Sequence, residues 1–420
     1  MTTAATVDFF VRSVRERLFA SAAPDAQRVG AEIEMLPILA ESGLPCPLGP
    51  ADARDTDRPR GQSTLGFLRP YARALGWSER RSPKGAPYFS LPNGAKLTFE
   101  PGGQLELCTP PRAGISALLR ETEEILSQLR HGAGDAGISL LSVGIDPENG
   151  IERIPLQLAS ERYVAMTRYF DSIGPSGVRM MRQTAATQVS VDPGPEPGDR
   201  WRLLADLAPY FTAMFANSPR YAGQHTGWQS FRAQCWRELD PSRTGVPHPE
   251  LPPEEAYARF ALDATDMTRR DEQGGYRSFA DWASEGDWTE AQWENHLTTL
   301  FPEARPRGHL EVRSIDAVDF DATVAAVVTI AGLVYEPAAS REARSLVASA
   351  DDELLNRAAR CGLRDDAVAS TAATLADLGL RGARSLGEPV IGGEELERAA
   401  EFVSSMTHRR RSPCDGLSGP

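Results

Sequence analysis

Lysine is almost missing from this 420-residue chain; Lys84 and Lys96 are the only two. Cationic chemistry therefore falls to arginine, whose planar fork grips carboxylate and phosphate but cannot act as a base near neutral pH. That disfavours a Schiff-base mechanism, and neither lysine follows the glycine spacing of a P-loop. Cysteine is sparse as well. Cys46, Cys108, Cys235, Cys361 and Cys414 stand far apart without CxxC spacing, which argues against a zinc ribbon or a redox pair and fits a reducing compartment. No run of about 18 apolar residues occurs, so no transmembrane span is expected. Residues 1–20 read as an amphipathic helix carrying Arg12, Arg15 and Arg17, without the apolar centre of a signal peptide. The expected location is cytoplasmic. An excess of positive charge is also lacking. With 45 basic against 58 acidic residues the chain carries −13, which speaks against nucleic acid or an anionic membrane as partner and leaves room only for a local basic pocket. Oligomeric state is not legible.

What is present is a globular balance, 41% hydrophobic with 25% charged. Helices are expected at 5–20, 61–76, 114–131 and 160–171, through most of 199–300, and over 320–406. Strands are expected at 27–39, 88–91, 95–100, 104–108, 137–144, 178–191 and 308–315, with a loop over 42–60. Pro92-Asn93-Gly94 and Pro101-Gly102-Gly103 mark two turns. Strands scattered between unequal helical blocks, several joined by hairpins, indicate an α+β fold with an antiparallel or mixed sheet. No linker divides the chain, so 1–408 reads as one domain with a helical part at 320–406, followed by a flexible tail at 409–420 that includes Arg409, Arg410 and Arg411.

Alternate residues of a strand share a face. In Gly30-Ala31-Glu32-Ile33-Glu34 the two carboxylates face one way and Ile33 the other. Alone, this is equally a solvent-facing strand. The design recurs, however. Glu100 ends one strand, Gln104 and Glu106 share a face of the next, and Leu105 and Leu107 face the core. His309, Glu311 and Arg313 share a face opposite Leu310 and Val312, and Gln188-Val189-Ser190 repeats the pattern. In one sheet these faces become a carboxylate-lined floor. Hard oxygen donors in such number suit Mg²⁺, which favours carboxylates together with substrate phosphates. Arg313 could neutralise phosphate oxygens. Farther on, aromatic residues alternate with arginine around Gly227-Trp228-Gln229-Ser230-Phe231-Arg232 and Trp236. That pattern fits an amino-acid pocket, in which the fork holds a carboxylate, and it equally fits core aromatics beside surface arginines.

Taken in order, Gly30–Glu34, Glu100-Pro101-Gly102-Gly103-Gln104-Leu105-Glu106-Leu107, Arg162-Tyr163, Met180–Thr184, Gln188-Val189, Phe215–Pro219, Asp240–Gly245 and His309–Arg313 resemble the glutamate–cysteine ligases of the plant-type and ergothioneine-pathway branch. The resemblance covers roughly 30–315. It implies a glutamine-synthetase-like catalytic fold whose curved, mainly antiparallel sheet floors the site. It implies ATP as co-substrate, Mg²⁺, and formation of γ-glutamylcysteine from glutamate and cysteine through a γ-glutamyl phosphate, for ergothioneine or glutathione synthesis. Carried over by position, Glu32, Glu34, Glu100, Glu106 and Glu311 become metal ligands and Arg313 the phosphoryl stabiliser, with Glu106 also counted as catalytic. Arg232 becomes the substrate-carboxylate anchor, Trp236 and Tyr257 members of the amino-acid pocket, and Gln104 and Gln188 polar contacts. The sequence departs from the family pattern at Ser190, at Cys108 and in the segment after Trp236. Those departures bear on the acceptor pocket and keep open the same chemistry on another amine; a non-catalytic binder of glutamate or nucleotide is the alternative from another class, against which the retained carboxylates speak.

Overall fold

The structure, a computed structural model, describes residues 4–23, 26–49, 62–388 and 390–416. Its centre is an antiparallel sheet built on β1 (Val29–Leu39), which pairs through residues 32–35 with one neighbour and through residues 29–33 with the other. One neighbour is β5 (Leu105–Cys108), reached through the hairpins of β2 (Ser78–Arg81), β3 (Pro87–Ser90) and β4 (Lys96–Phe99). The other is β7 (Thr187–Val191), which continues to β11 (Leu310–Val312) and β10 (Ala304–Pro306) at the edge. The second half of β1 pairs instead with β6 (Ile138–Leu141). A separate two-stranded ribbon joins β8 (Arg220–Tyr221) to β9 (Gln224–His225).

Alternation gives this sheet two chemically opposite faces. Ala31, Ile33, Met35, Leu97, Phe99, Leu105, Leu107, Val189, Val191, Leu310 and Val312 are buried on one side. Helix Phe320–Tyr335, buried along almost its whole length, packs beneath β7 and against Asp366–Leu386. The two helices approach so closely that a Cβ on Gly332 would sit 1.9 Å from the Gly379 carbonyl oxygen. Apolar area buried on this scale is the dominant stabilising contribution, at roughly 25 cal/mol per Å². Among the described residues no single helix is long and apolar enough to cross a membrane.

Several expectations change. The strand expected over 178–191 is a helix, Pro175–Gln183, followed by a strand of five residues. Pro175 occupies the first turn, where a missing N–H is harmless, and Val178, Met180 and Met181 are buried on the helix. Their near-alternation imitates a strand. Strands β2, β8, β9 and β10 were not expected; each has only two to four residues, too few for a periodic signal. The flexible tail is corrected for 409–416. Two short 3₁₀ turns dock it, the Cys414 N–H donates to the Ala216 carbonyl, and Ser412 and Cys414 are buried. From residue 50 onward the expected 42–60 loop lies outside the described residues, as do positions 417–420.

Candidate active site

The register puts the polar residues of six strands on one face. Glu34 lies opposite Glu106, and Thr98 lies opposite Glu106 from the other side. In the next row Lys96, Cys108, Glu32 and Gln188 follow one another. Beyond them Glu311 pairs with Ser190 and with Arg305. The floor therefore runs from arginine on β10 and β11, through carboxylate on β1 and β5, to lysine on β4.

A turn at the cavity end fixes Glu100. The Glu100 N–H donates to the Gln104 carbonyl, and the Gly103 N–H donates back to the Glu100 carbonyl. Gly103 adopts φ +91°, which glycine tolerates. A side chain on Gly102 would collide with the Arg182 carbonyl oxygen, 1.9 Å from an ideal Cβ. The turn is thus pressed against the end of helix Pro175–Gln183. The Gln104 amide completes the join by accepting from Gly102 N–H (2.9 Å) and donating to the Thr184 carbonyl (3.0 Å).

Above the floor is a cavity of about 620 Å³. Glu32, Glu34, Glu100 and Glu106 line it together with Arg162, Arg232, Arg305 and Arg313, and Met180, Met181, Trp236 and Phe301 form an apolar wall. Glu34 accepts from the Ala186 N–H at 2.8 Å and from the Gln188 amide at 3.1 Å. Glu106 accepts from the Thr98 hydroxyl and from the Cys108 thiol. The side-chain carboxylates of Glu32 and Glu100 accept no hydrogen bond from any described residue. Burial first, then mutual repulsion, pushes Glu32 and Glu34 up to about 8 and Glu100 and Glu106 up to about 7. Neighbouring carboxylates this hungry for positive charge suit a hard divalent cation. Among the described residues no three such donors already converge on one centre, so forming a coordination shell requires side-chain rotation within the cavity.

The arginines form a second, ordered layer. The Arg313 guanidinium donates to Glu311 at 2.7 Å and to the Gln188 carbonyl oxygen. Arg232 donates to the Arg313 backbone carbonyl at 2.9 Å. Both guanidinium groups lie over the Trp236 ring, at 4.9 and 5.4 Å from its centroid. The indole is locked in turn by its N–H, which donates to the Phe301 carbonyl at 2.8 Å. The Nε of Arg232 and that of Arg313 are buried without a hydrogen-bond partner. Two unpartnered, buried cationic donors beside a cavity suit an anionic ligand.

A second cavity, of about 690 Å³, adjoins the first, with Glu100, Glu106, Arg162 and Tyr163 in the walls of both. Lys84 and Lys96, the whole lysine complement of the chain, line it, with Tyr88, Gln157 and Ser160.

The family model for glutamate–cysteine ligase family 2 matches residues 28–415. The chain belongs to that family. Glutamate–cysteine ligase EgtA of Mycolicibacterium smegmatis is 36% identical over 350 residues, 78% of each chain. The chloroplastic glutamate–cysteine ligase of Nicotiana tabacum is 32% identical over 57% of this chain and 49% of its own. Among solved structures, glutamate–cysteine ligase from Francisella tularensis, determined in complex with AMP, superposes with a TM-score of 0.54 at 13% identity, covering 93% of this chain and 84% of that one. This likeness shows the shared α+β fold. The protein is thus an enzyme of the glutamate–cysteine ligase class.

The structure of this ligase brings together most of the residues expected from sequence. Glu32, Glu34, Glu100, Glu106, Gln104, Gln188, Arg232, Trp236 and Arg313 all line the first cavity. Two do not. Tyr257 is fully buried among Phe19, Trp201 and Phe260 and belongs to the core, not to an amino-acid pocket. Glu311 is buried with its carboxylate on Arg305 (2.7 and 3.2 Å) and Arg313 (2.7 Å), and Arg307 lies 3.6 Å away. Burial alone would raise it, but Arg305 and Arg313 outweigh burial and hold it well below the usual carboxylate range. In this arrangement Glu311 is the counter-ion of the arginine layer rather than a free metal ligand. Reading by residue pattern missed Arg305, Arg162, Lys84 and Lys96 as cavity residues. The available signals were the Arg162-Tyr163 pair within the family pattern and the scarcity of lysine, whose two copies lie only twelve positions apart.

Proposed function

We propose that the protein joins the γ-carboxylate of glutamate to the amine of cysteine at the expense of ATP, giving γ-glutamylcysteine, ADP and phosphate, for synthesis of a low-molecular-weight thiol. The observation that carries the reading is the polar floor, in which four carboxylates, Glu106 buried and Glu32, Glu34 and Glu100 half-buried, are flanked by an arginine layer on one side and by the lysine-lined cavity on the other. The nucleotide is assigned to the lysine-lined cavity and the amino acids to the arginine-lined one, so that the γ-phosphoryl group meets glutamate at the shared wall of Glu100, Glu106 and Arg162. Glutamate's γ-carboxylate attacks that phosphorus, ADP leaves, and the acyl phosphate is then opened by the amine with release of phosphate. Arg232 anchors a substrate carboxylate, and Arg313 faces the charge developing on the transferring group.

Glu32, Glu34, Glu100 and Glu106 would hold Mg²⁺. Bound there, the ion supplies neutralisation of phosphate charge. The chain's own part is positioning. Gln188 links Glu34 to Arg313, and Trp236 spaces the two guanidinium groups. The test is a coupled ADP-release assay with MgATP, glutamate and a panel of amines. Cysteine-dependent turnover is expected, and turnover with cysteine no higher than in a blank would refute the reading.

A further inference from the structure

Asp316 is fully buried four residues beyond β11 and lines neither cavity. Three hydrogen-bond donors and one guanidinium converge on it. The Asn217 N–H (2.8 Å) and the Ser218 hydroxyl (2.6 Å) reach one oxygen. The Ser230 hydroxyl reaches the other at 2.8 Å, and an Arg232 guanidinium nitrogen stands 3.7 Å from that same oxygen. Both hydroxyls act in turn on the helix that carries Arg232, Phe231–Leu239. The Ser218 oxygen accepts the Arg232 N–H (3.1 Å), and the Ser230 oxygen caps the helix by accepting the Ala233 N–H (3.1 Å). Gly144 lets this cluster close, because a Cβ there would lie 2.5 Å from the Asp316 carboxyl carbon.

One carboxylate thus grips the backbone start of the Arg232 helix and the Arg232 charge together. At 3.7 Å the ion pair is loose, and Arg232 Nε keeps no partner. The arginine is held without being consumed. Burial pushes the Asp316 carboxyl up, and the strongest counterweight to that push is Arg232.

We propose that Asp316 is a positioning residue that sets the Arg232 guanidinium for a carboxylate of glutamate. The proposal rests on the functional reading above, in which Arg232 anchors an amino-acid substrate. Asp316→Asn preserves volume and an acceptor oxygen but removes the charge. Losing one partner of a buried charge pair is costly, so the KM for glutamate should rise about tenfold or more, with the KM values for ATP and cysteine changed less than about twofold. Glutamate binding by calorimetry should weaken in parallel. In a double-mutant cycle, adding Asp316→Asn to Arg232→Gln should cause little further loss, because both act through one guanidinium.

Unchanged glutamate affinity in a folded Asp316→Asn would overturn the proposal, and so would an equal rise in all three KM values, which marks a general structural role. If that variant fails to fold, Ser230→Ala removes one donor from the same carboxylate; a glutamate-selective KM rise of about threefold supports the proposal, and none overturns it. Wild-type protein that binds no glutamate would overturn the proposal together with the functional reading, whereas wild-type binding matched by Asp316→Asn overturns the proposal alone.

Discussion

Replacing Glu106 by Gln should stabilise the protein at alkaline pH while removing its activity, a combination that a structural role does not produce. Burial, then the charge of Glu100, holds the Glu106 carboxyl protonated up to about 7, against 4.5 for an ordinary glutamate. Below 4.5 the folded and unfolded chains both carry the proton, so the group adds no pH dependence. Between 4.5 and 7 the folded chain retains a proton that the unfolded chain has lost, so stability falls as pH rises. At about 1.4 kcal/mol per pH unit the loss reaches about 3 kcal/mol above pH 7. Gln cannot ionise, so it escapes this loss. It also removes a charge that helps to raise both Glu32 and Glu34. Against that gain, the Thr98 hydroxyl and the Cys108 thiol exchange a shared carboxylate oxygen for an amide, which costs about 1 kcal/mol. With chelator present, urea unfolding should show the variant more stable than wild type by about 1–2 kcal/mol at pH 8.5 and equal or slightly less stable at pH 5. Added Mg²⁺ should stabilise wild type more than the variant, and ligation should fall by about two orders of magnitude or more. A variant destabilised equally at both pH values would refute the electrostatic argument. Near-normal turnover would refute the assignment of Glu106 to the reacting floor.

The lysine-lined cavity is tested by Lys84→Gln and Lys96→Gln, each of which should raise the KM for ATP about tenfold through loss of a charged phosphate contact and leave the KM for glutamate nearly unchanged; steady-state kinetics with each substrate varied in turn is the check. Arg243→Ala should lower stability by about 3–5 kcal/mol in urea unfolding, because Arg243 is fully buried, pairs with Asp240 at 2.7 Å and donates to the Thr299 and Thr265 carbonyls.

The polar floor could be read from the sequence because a half-buried strand writes its two faces into alternate positions. Glu32 and Glu34, Gln104 and Glu106, and Gln188 beside Ser190 each keep that period, and pairing in one sheet brings them together. Partner choice is not written the same way. Glu311 has the same local pattern as Glu106, yet its neighbour across the ladder is Arg305, on a three-residue strand containing Pro306 that leaves no periodic trace. Opposite arginine, the Glu311 carboxylate is a counter-ion, whereas Glu106, opposite Glu34 and Thr98, makes no ion pair with a described residue. Tyr257 failed for a related reason. An aromatic residue on an amphipathic helix suits a pocket and a core equally, and only the positions of Phe19 and Trp201 decide between them. The helix at 175–183 shows the limit of short windows, where buried residues at 178, 180 and 181 satisfy a strand and a helix alike.

The electrostatics of the floor and the stability of the fold are managed on opposite sides of one sheet. Four neighbouring carboxylates with raised proton affinity are unfavourable to folding at neutral pH, and the arginines offset this only in part, since burial and mutual repulsion outweigh them and Glu311 pairs with Arg305 and Arg313. The compensation comes from beneath, where the same strands present Ile33, Leu105, Leu107, Leu97 and Val189 to a continuous apolar core. Because strand alternation ties each acidic residue to an apolar neighbour, β1 and β5 cannot shift register by one residue without exposing the core and burying the charges in it. The stabilising face therefore fixes the reactive face in place, and it does so without any of the cavity residues having to favour the folded state themselves. Substitutions on the floor can accordingly be read as changes in chemistry and charge, whereas substitutions one position along the same strands act on the fold.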